Sequence, residues 1–165
     1  MSKALRWSIT LVGLLCLLEA MLIWAFRSHN PVVLGAVRRF NRSVLNPVMA
    51  RFSGRKGFYA AAIHHVGRRS GIPYATPIIA QSEPGGFLIP LLYGTDVDWL
   101  RNVLAAGRAI IDADGRTMVV EQPAVISLDE VVSRFPERLA RSLRLVGTRD
   151  VLRLTATGLA TPATA

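Results

Sequence analysis

The apolar positions change their spacing as the chain proceeds. Residues 8–26, "SITLVGLLCLLEAMLIWAF", are apolar almost without a break. As a helix the run reaches roughly 28 Å at about 1.5 Å per residue, close to the thickness of a bilayer's hydrocarbon core. Lys3 and Arg6 precede it and Arg27 follows, while Trp7 and Trp24 stand near its ends, where amphipathic rings favour the membrane interface. A membrane anchor over 1–28 is the expectation. A cleaved signal peptide fits less well, because "IWAFRSHNP" offers no small-x-small cleavage site. A buried or surface-lying helix stays open because of Glu19, whose carboxyl costs about 2.5–3.5 kcal/mol in mid-membrane. Over 29–56, Val33, Val37, Phe40, Val44, Leu45, Val48, Met49 and Phe52 recur at helical spacing, with a break at Asn46-Pro47. Arg38, Arg39, Arg42 and Arg51 lie between them. Two readings fit equally: a helix lying on anionic headgroups, or one packed on the domain with its arginines solvated.

From Gly57 short apolar runs punctuated by turn residues take over. "FYAAAIHHV", "ATPIIAQS" and "FLIPLLY" read as strands, "GRRSGIPY" as a tight connection and "EPGG" as a hairpin turn. "GTDVDWLRNVLAAG" reads as a short helix that Thr95 or Asp96 can cap and Gly107 can end. "RAIIDA" and "TMVVEQPAVIS" flank an Asp-Gly hairpin. "LDEVVSRFPERLARSLRLVG" looks helical despite Pro136, and "DVLRLTAT" closes the pattern. The sum is an α+β domain over 57–158, with about six strands and two helices, and a frayed tail over 159–165. Antiparallel hairpins dominate, and a closed or half-closed β-barrel would remove the edges they expose.

Charge narrows the partners. The formal net charge of +9 implies an anionic one, whether lipid, nucleic acid or phosphorylated ligand. Much of that charge sits beside the apolar run, and no basic strand studded with aromatics appears, so nucleic acid is not expected. The single cysteine, Cys16, excludes an intrachain disulfide. Arg27, Arg38, Arg39 and Arg42 outweigh Lys3, Arg6 and the amino terminus, which leans the domain toward the cytoplasmic side of a cell membrane.

Side chains for covalent or metal chemistry are sparse. His64 and His65 are adjacent, so on a strand they point to opposite faces and do not share a metal; the expectation is one buried, hydrogen-bonded imidazole and one exposed. Ser70 lacks a nucleophile-elbow context, and Asp96 and Asp98 are explained by a helix start. There is no P-loop and no G-x-G-x-x-G turn. "GRRSG" remains. Its glycines let a ligand approach the backbone, consecutive amides can form an anion nest, and Arg68, Arg69 and Ser70 carry donors. A solvated structural turn is the plainer alternative.

"HHVGRRSGIPYATPI" followed by "YGTDVDWLRNVLAAG" resembles the deazaflavin-dependent nitroreductase family, over roughly 41–157. The resemblance implies a mainly antiparallel split β-barrel with flanking helices, here preceded by an N-terminal transmembrane helix. It implies a reduced 8-hydroxy-5-deazaflavin coenzyme that delivers hydride to a quinone, nitro compound or similar small-molecule acceptor. Gly67, Arg68, Arg69, Ser70 and Gly71 match the family turn that meets the coenzyme's anionic tail and phosphate. Thr76 and Pro77 match the next strand beside the cofactor, and Trp99 and Asn102 match the short helix near the ring system. Tyr93 and Gly94 stand where some members carry a serine-lysine-glycine phosphate contact, and Tyr74 replaces a basic residue of some members. No catalytic side chain is implied, because the coenzyme carries the hydride. Membrane lipids and a homodimer complete the expected partners. Flavin mononucleotide is the alternative cofactor, and a non-catalytic membrane-associated binder of a flavin, haem or lipid is the alternative function.

Overall fold

The computed structural model describes residues 52–159, with isolated positions 20, 21, 23, 24, 27, 32, 35 and 49 before them. The apolar run, the basic segment up to 51 and the tail 160–165 otherwise lie outside the described residues. Among the described residues no helix is long and apolar enough to cross a membrane.

Among the described residues, seven strands form one antiparallel sheet in the order β2-β1-β5-β6-β7-β4-β3. They are β1 (Ala61–Val66), β2 (Pro73–Ile78), β3 (Gln81–Glu83), β4 (Gly86–Pro90), β5 (Arg108–Ala113), β6 (Arg116–Ser127) and β7 (Asp150–Leu159). The two edge strands, β2 and β3, are consecutive in the chain. Only Ile79 and Ala80 separate them, so Ile78 and Gln81 lie within roughly 10 Å of each other. A flat sheet of seven strands cannot meet that limit. The sheet therefore curls until its edges face each other, and the fold is an α+β half-barrel, split where β2 and β3 part. A bulge in β6 helps the curl. The register shifts between Glu121 and Ala124, Gln122 takes φ 55, and the strand beyond it follows β7 rather than β5.

The barrel interior is apolar. Ile63, Phe87, Ile89, Ile111, Val120, Leu152 and Leu154 fill it, and α1 (Asp98–Ala106) adds Leu100 and Val103 to the same cluster. A smaller cluster covers the outer face of β4 and β7. Leu88 and Val151 pack there against Leu128 and Val131 of α2 (Leu128–Val131), Phe135, and Leu143 of α3 (Glu137–Leu145). β4 is thus buried on both faces, which is why "FLIP" carries no polar alternation.

Several expectations need correction. The run "ATPIIAQS" is not one strand: it leaves β1 after Ile78 and joins β4 from Gln81, giving seven strands instead of six. Neither Thr95 nor Asp96 caps α1. Val97 is the N-cap, without a side-chain bond, and Asp96 pairs with Arg101. Gly107 does end that helix, at φ 68. The long helix around Pro136 is broken. α2 runs into a 3₁₀ turn (Val132–Arg134), Phe135 is extended before the proline, and α3 starts anew at Glu137. The Asp-Gly hairpin stands as read, with φ 49 at Asp114 and 75 at Gly115. β7 reaches Leu159, one residue into the expected tail.

Candidate functional site

The split opens into a cleft of about 950 Å³. β2 supplies one wall with Thr76, Pro77 and Ile78, the end of β4 supplies Ile89 and Pro90, and Trp99 and Asn102 reach in from α1. Ten of the eleven residues singled out in the sequence line it: Gly67, Arg68, Arg69, Ser70, Thr76, Pro77, Tyr93, Gly94, Trp99 and Asn102. Gly71 does not. Its φ of 68 instead lets its N–H close a turn onto Gly67 O at 2.8 Å. At the other end, a Cβ on Gly67 would displace the Ser70 hydroxyl and press on the Tyr74 ring. Ser70 Oγ accepts from Ile72 N–H at 3.3 Å.

His65 is the buried, hydrogen-bonded imidazole of the pair, and it also lines the cleft and lies at the centre of a bonded chain. Strand alternation puts it on the inner face with Ile63, and His64 on the outer face, paired with Asp112 at 2.6 Å. Asn102, 5% exposed, accepts two hydrogen bonds at Oδ1: from Arg68 N–H at 3.1 Å and from Arg68 Nη1 at 2.9 Å. Those two donors fix which end of the amide is oxygen. Asn102 Nδ2 therefore donates to His65 Nδ1 at 3.1 Å. A nitrogen that accepts there carries no proton, so the proton of neutral His65 is on Nε2. It is donated to Thr76 Oγ1 at 3.1 Å. The Thr76 hydroxyl hydrogen is left to point elsewhere, and Thr76 lines the cleft. Burial, and then the nearby His64, push the His65 pKa below its ordinary value, which agrees with a neutral ring. Tyr74 lies opposite His65 on β2 and stacks on it at 5.7 Å.

The two arginines of the turn differ. Arg68 is engaged with Asn102 and also with Asp98 at 3.1 Å, which ties the β1–β2 turn to α1. The Arg69 guanidinium is exposed and has no partner among the described residues, and the N–H groups of Arg69 and Ser70 are likewise unpaired there. Among the described residues the rim therefore presents one free cation and two amides, above walls formed by buried Ile78, Ile89 and Leu91 and half-buried Trp99. This arrangement suits a planar, largely apolar ligand that ends in an anion. Among the described residues no three His, Cys, Asp or Glu side chains gather as metal ligands.

The chain matches no known family description and no curated protein. Solved structures similar to it include a protein of unknown function from Agrobacterium tumefaciens, at 20% identity and a TM-score of 0.47, over 62% of this chain. The chain spans 50% of that protein's length. A conserved hypothetical protein from Mycobacterium tuberculosis shares 13% identity at a TM-score of 0.45, over 68% of this chain and 81% of its own. An F420-H2 dependent reductase shares 16% identity at a TM-score of 0.40, over 58% of this chain and 93% of its own. At TM-scores this low the likenesses do not assign a function, and the family resemblance rests on the residues of the two motifs.

Proposed function

We propose that this protein is a membrane-anchored oxidoreductase that binds a reduced 8-hydroxy-5-deazaflavin coenzyme in the cleft. From it a hydride passes to a quinone, nitro compound or similar small acceptor. The observation that carries the reading is the gathering of ten motif residues around one cleft with apolar walls and a cationic rim. Bound there, such a coenzyme supplies the hydride, so no nucleophilic side chain is needed. Ile78, Ile89, Leu91 and Trp99 would cover the ring system and exclude water. Thr76, oriented by His65, would donate to an acceptor atom at the ring edge or on the substrate. Arg69 and the amides of Arg69 and Ser70 would take the anionic tail. Arg68, expected to share that task, acts instead as the fastener that holds the turn against α1.

That engagement of Arg68 leaves Arg69 as the one free cation among the described residues, which favours as second reading a ligand with a single phosphate, such as flavin mononucleotide, bound with or without turnover. The apolar run 8–26 and the basic segment after it support a single-pass anchor with the domain on the cytoplasmic side of the cell membrane, where a lipid-soluble quinone is accessible. Exposed Val66 and Ile110, on the outer face of β1 and β5, leave room for a homodimer. The test is calorimetric titration of the full chain in detergent with the oxidised deazaflavin and, separately, with flavin mononucleotide, followed by turnover of the reduced coenzyme with a quinone. Micromolar deazaflavin binding that weakens in Arg69→Ala supports the first reading. Binding of flavin mononucleotide alone selects the second, and binding of neither refutes both.

A further inference from the structure

A second hollow, of about 340 Å³, lies where α3 ends. The helix stops in a bonded turn: Gly147 takes φ 76, its N–H reaches Arg144 O at 3.1 Å, and Thr148 N–H reaches Leu143 O at 2.9 Å. This turn puts Arg144 and Arg149 on one hollow, with Thr148 between them in the chain. Both guanidinium groups are exposed and have no partner among the described residues. Thr148 is only 9% exposed, yet its Oγ1 has no hydrogen-bond partner among the described residues. A buried hydroxyl of this kind has given up its bond to water without a replacement, and such orphans point to a group that is supplied from outside. Arg27 and Asp129 also line the hollow, so among the described residues its charged groups are three arginines and one carboxylate.

We infer that this hollow is a binding site for a phosphate ester. Two guanidinium forks and a hydroxyl need more acceptor oxygens than a carboxylate carries, and a phosphate group has enough. Asp129 accepts a hydroxyl or ammonium donor carried beside the phosphate. A phospholipid headgroup and a soluble phosphate ester share this chemistry. Arg27 follows directly on the apolar run 8–26, so an anchor formed by that run would bring the hollow to headgroup height. The site is independent of the ligand of the cleft.

The test uses the full chain, isotope-labelled, in neutral detergent micelles, with the Thr148 and Arg149 amide resonances as readout. The titrants are inorganic phosphate, short-chain phosphatidylglycerol and a short-chain diacylglycerol that lacks phosphate. Saturable shifts with phosphate and phosphatidylglycerol support the site, shifts with the lipid alone assign it to a headgroup, and shifts with phosphate alone assign it to a soluble ester. Arg144→Gln/Arg149→Gln should weaken binding roughly hundredfold, from two charge-assisted bonds lost, with a nearly unchanged melting temperature because neither guanidinium has a hydrogen-bond or ion-pair partner among the described residues. Thr148→Val, nearly the same shape, should fold at least as well and also bind more weakly. The inference is overturned by the absence of saturable shifts with either phosphate compound, by equal shifts with diacylglycerol, or by shifts that survive the double substitution.

Discussion

Asn102→Ala removes the side chain that joins the β1–β2 turn, α1 and His65. Three hydrogen bonds disappear together: Arg68 N–H to Oδ1, Arg68 Nη1 to Oδ1, and Nδ2 to His65 Nδ1. The guanidinium side chain is 24% exposed and keeps Asp98, so its loss is discounted toward the value of a surface interaction. Arg68 N–H and His65 Nδ1 are less fortunate, because each is left without its partner beside a largely buried ring. At about 1–1.5 kcal/mol for each of these two bonds, and somewhat less for the third, the destabilisation is about 3 kcal/mol. In a chain of this length that is a fall of roughly 9 °C in melting temperature. Urea unfolding of the full chain in detergent measures it, and the slope with denaturant should not change. Asn102→Asp separates this account from simple loss of volume. The carboxylate can still accept from Arg68 but cannot donate to His65 Nδ1, so a proton on Nδ1 becomes favourable. The His65 pKa, depressed in the native protein, should rise in the variant when followed by ring-proton resonances. A destabilisation under about 1 kcal/mol in Asn102→Ala, or a His65 pKa still depressed in Asn102→Asp, refutes the bonded chain.

His65 also sets a pH dependence: its folded pKa lies below the unfolded value of 6.5, so the unfolded chain takes up a proton first as the pH falls. Its contribution should be complete above 6.5, decline as the pH drops toward the folded pKa and then level off, and His65→Gln should flatten that part of a urea-midpoint profile. Gly86→Ala should lose about 3 kcal/mol or more, because the new Cβ would run into the backbone carbonyl of Leu154 on the paired strand β7; a melting temperature within about 3 °C of the native one counts against the β4–β7 register. Arg69→Ala should leave stability unchanged and weaken the cleft ligand about tenfold or more, while Arg68→Ala should lower the melting temperature as well; thermal shift beside calorimetry distinguishes them, and identical behaviour of the two would contradict the division of roles.

What could be read from the sequence was local chemistry. Asp114-Gly115, Gly107 and the alternation of His64 and His65 each encode a backbone state or a face within a few residues, and each is realised. The break between β2 and β3 is not local. "ATPIIAQS" stays apolar through Ile79 and Ala80, and its one proline, Pro77, lies inside β2 before the change of partner, so no turn residue marks the break. Arg68 and Arg69 are equivalent in the sequence. They become different only when α1 docks and brings Asn102, 34 positions away, against one of them. The role of His65 was hidden for the same reason, although its alternation with Ile63 marked it as inward-facing, and an inward imidazole needs partners.

The position of the cleft follows from the topology. In a fully closed barrel every strand would be paired and the interior filled by side chains. Here the chain passes from one sheet edge to the other within two residues, so the edges are held near each other while β2 and β3 remain unpaired. The gap therefore stays open beside apolar walls, and the turn before β2 and the helix after β4 flank it. The turn is exposed, whereas the helix sends Leu100 and Val103 into the core. Arg68, Asn102 and His65 bind turn and helix to one another and to β1, and thereby hold the rim of the gap in one shape. A rim held in this way can leave Arg69 unpaired, since the turn does not depend on it. The division between a fastening arginine and a free one is what allows the split to be a binding site instead of a seam.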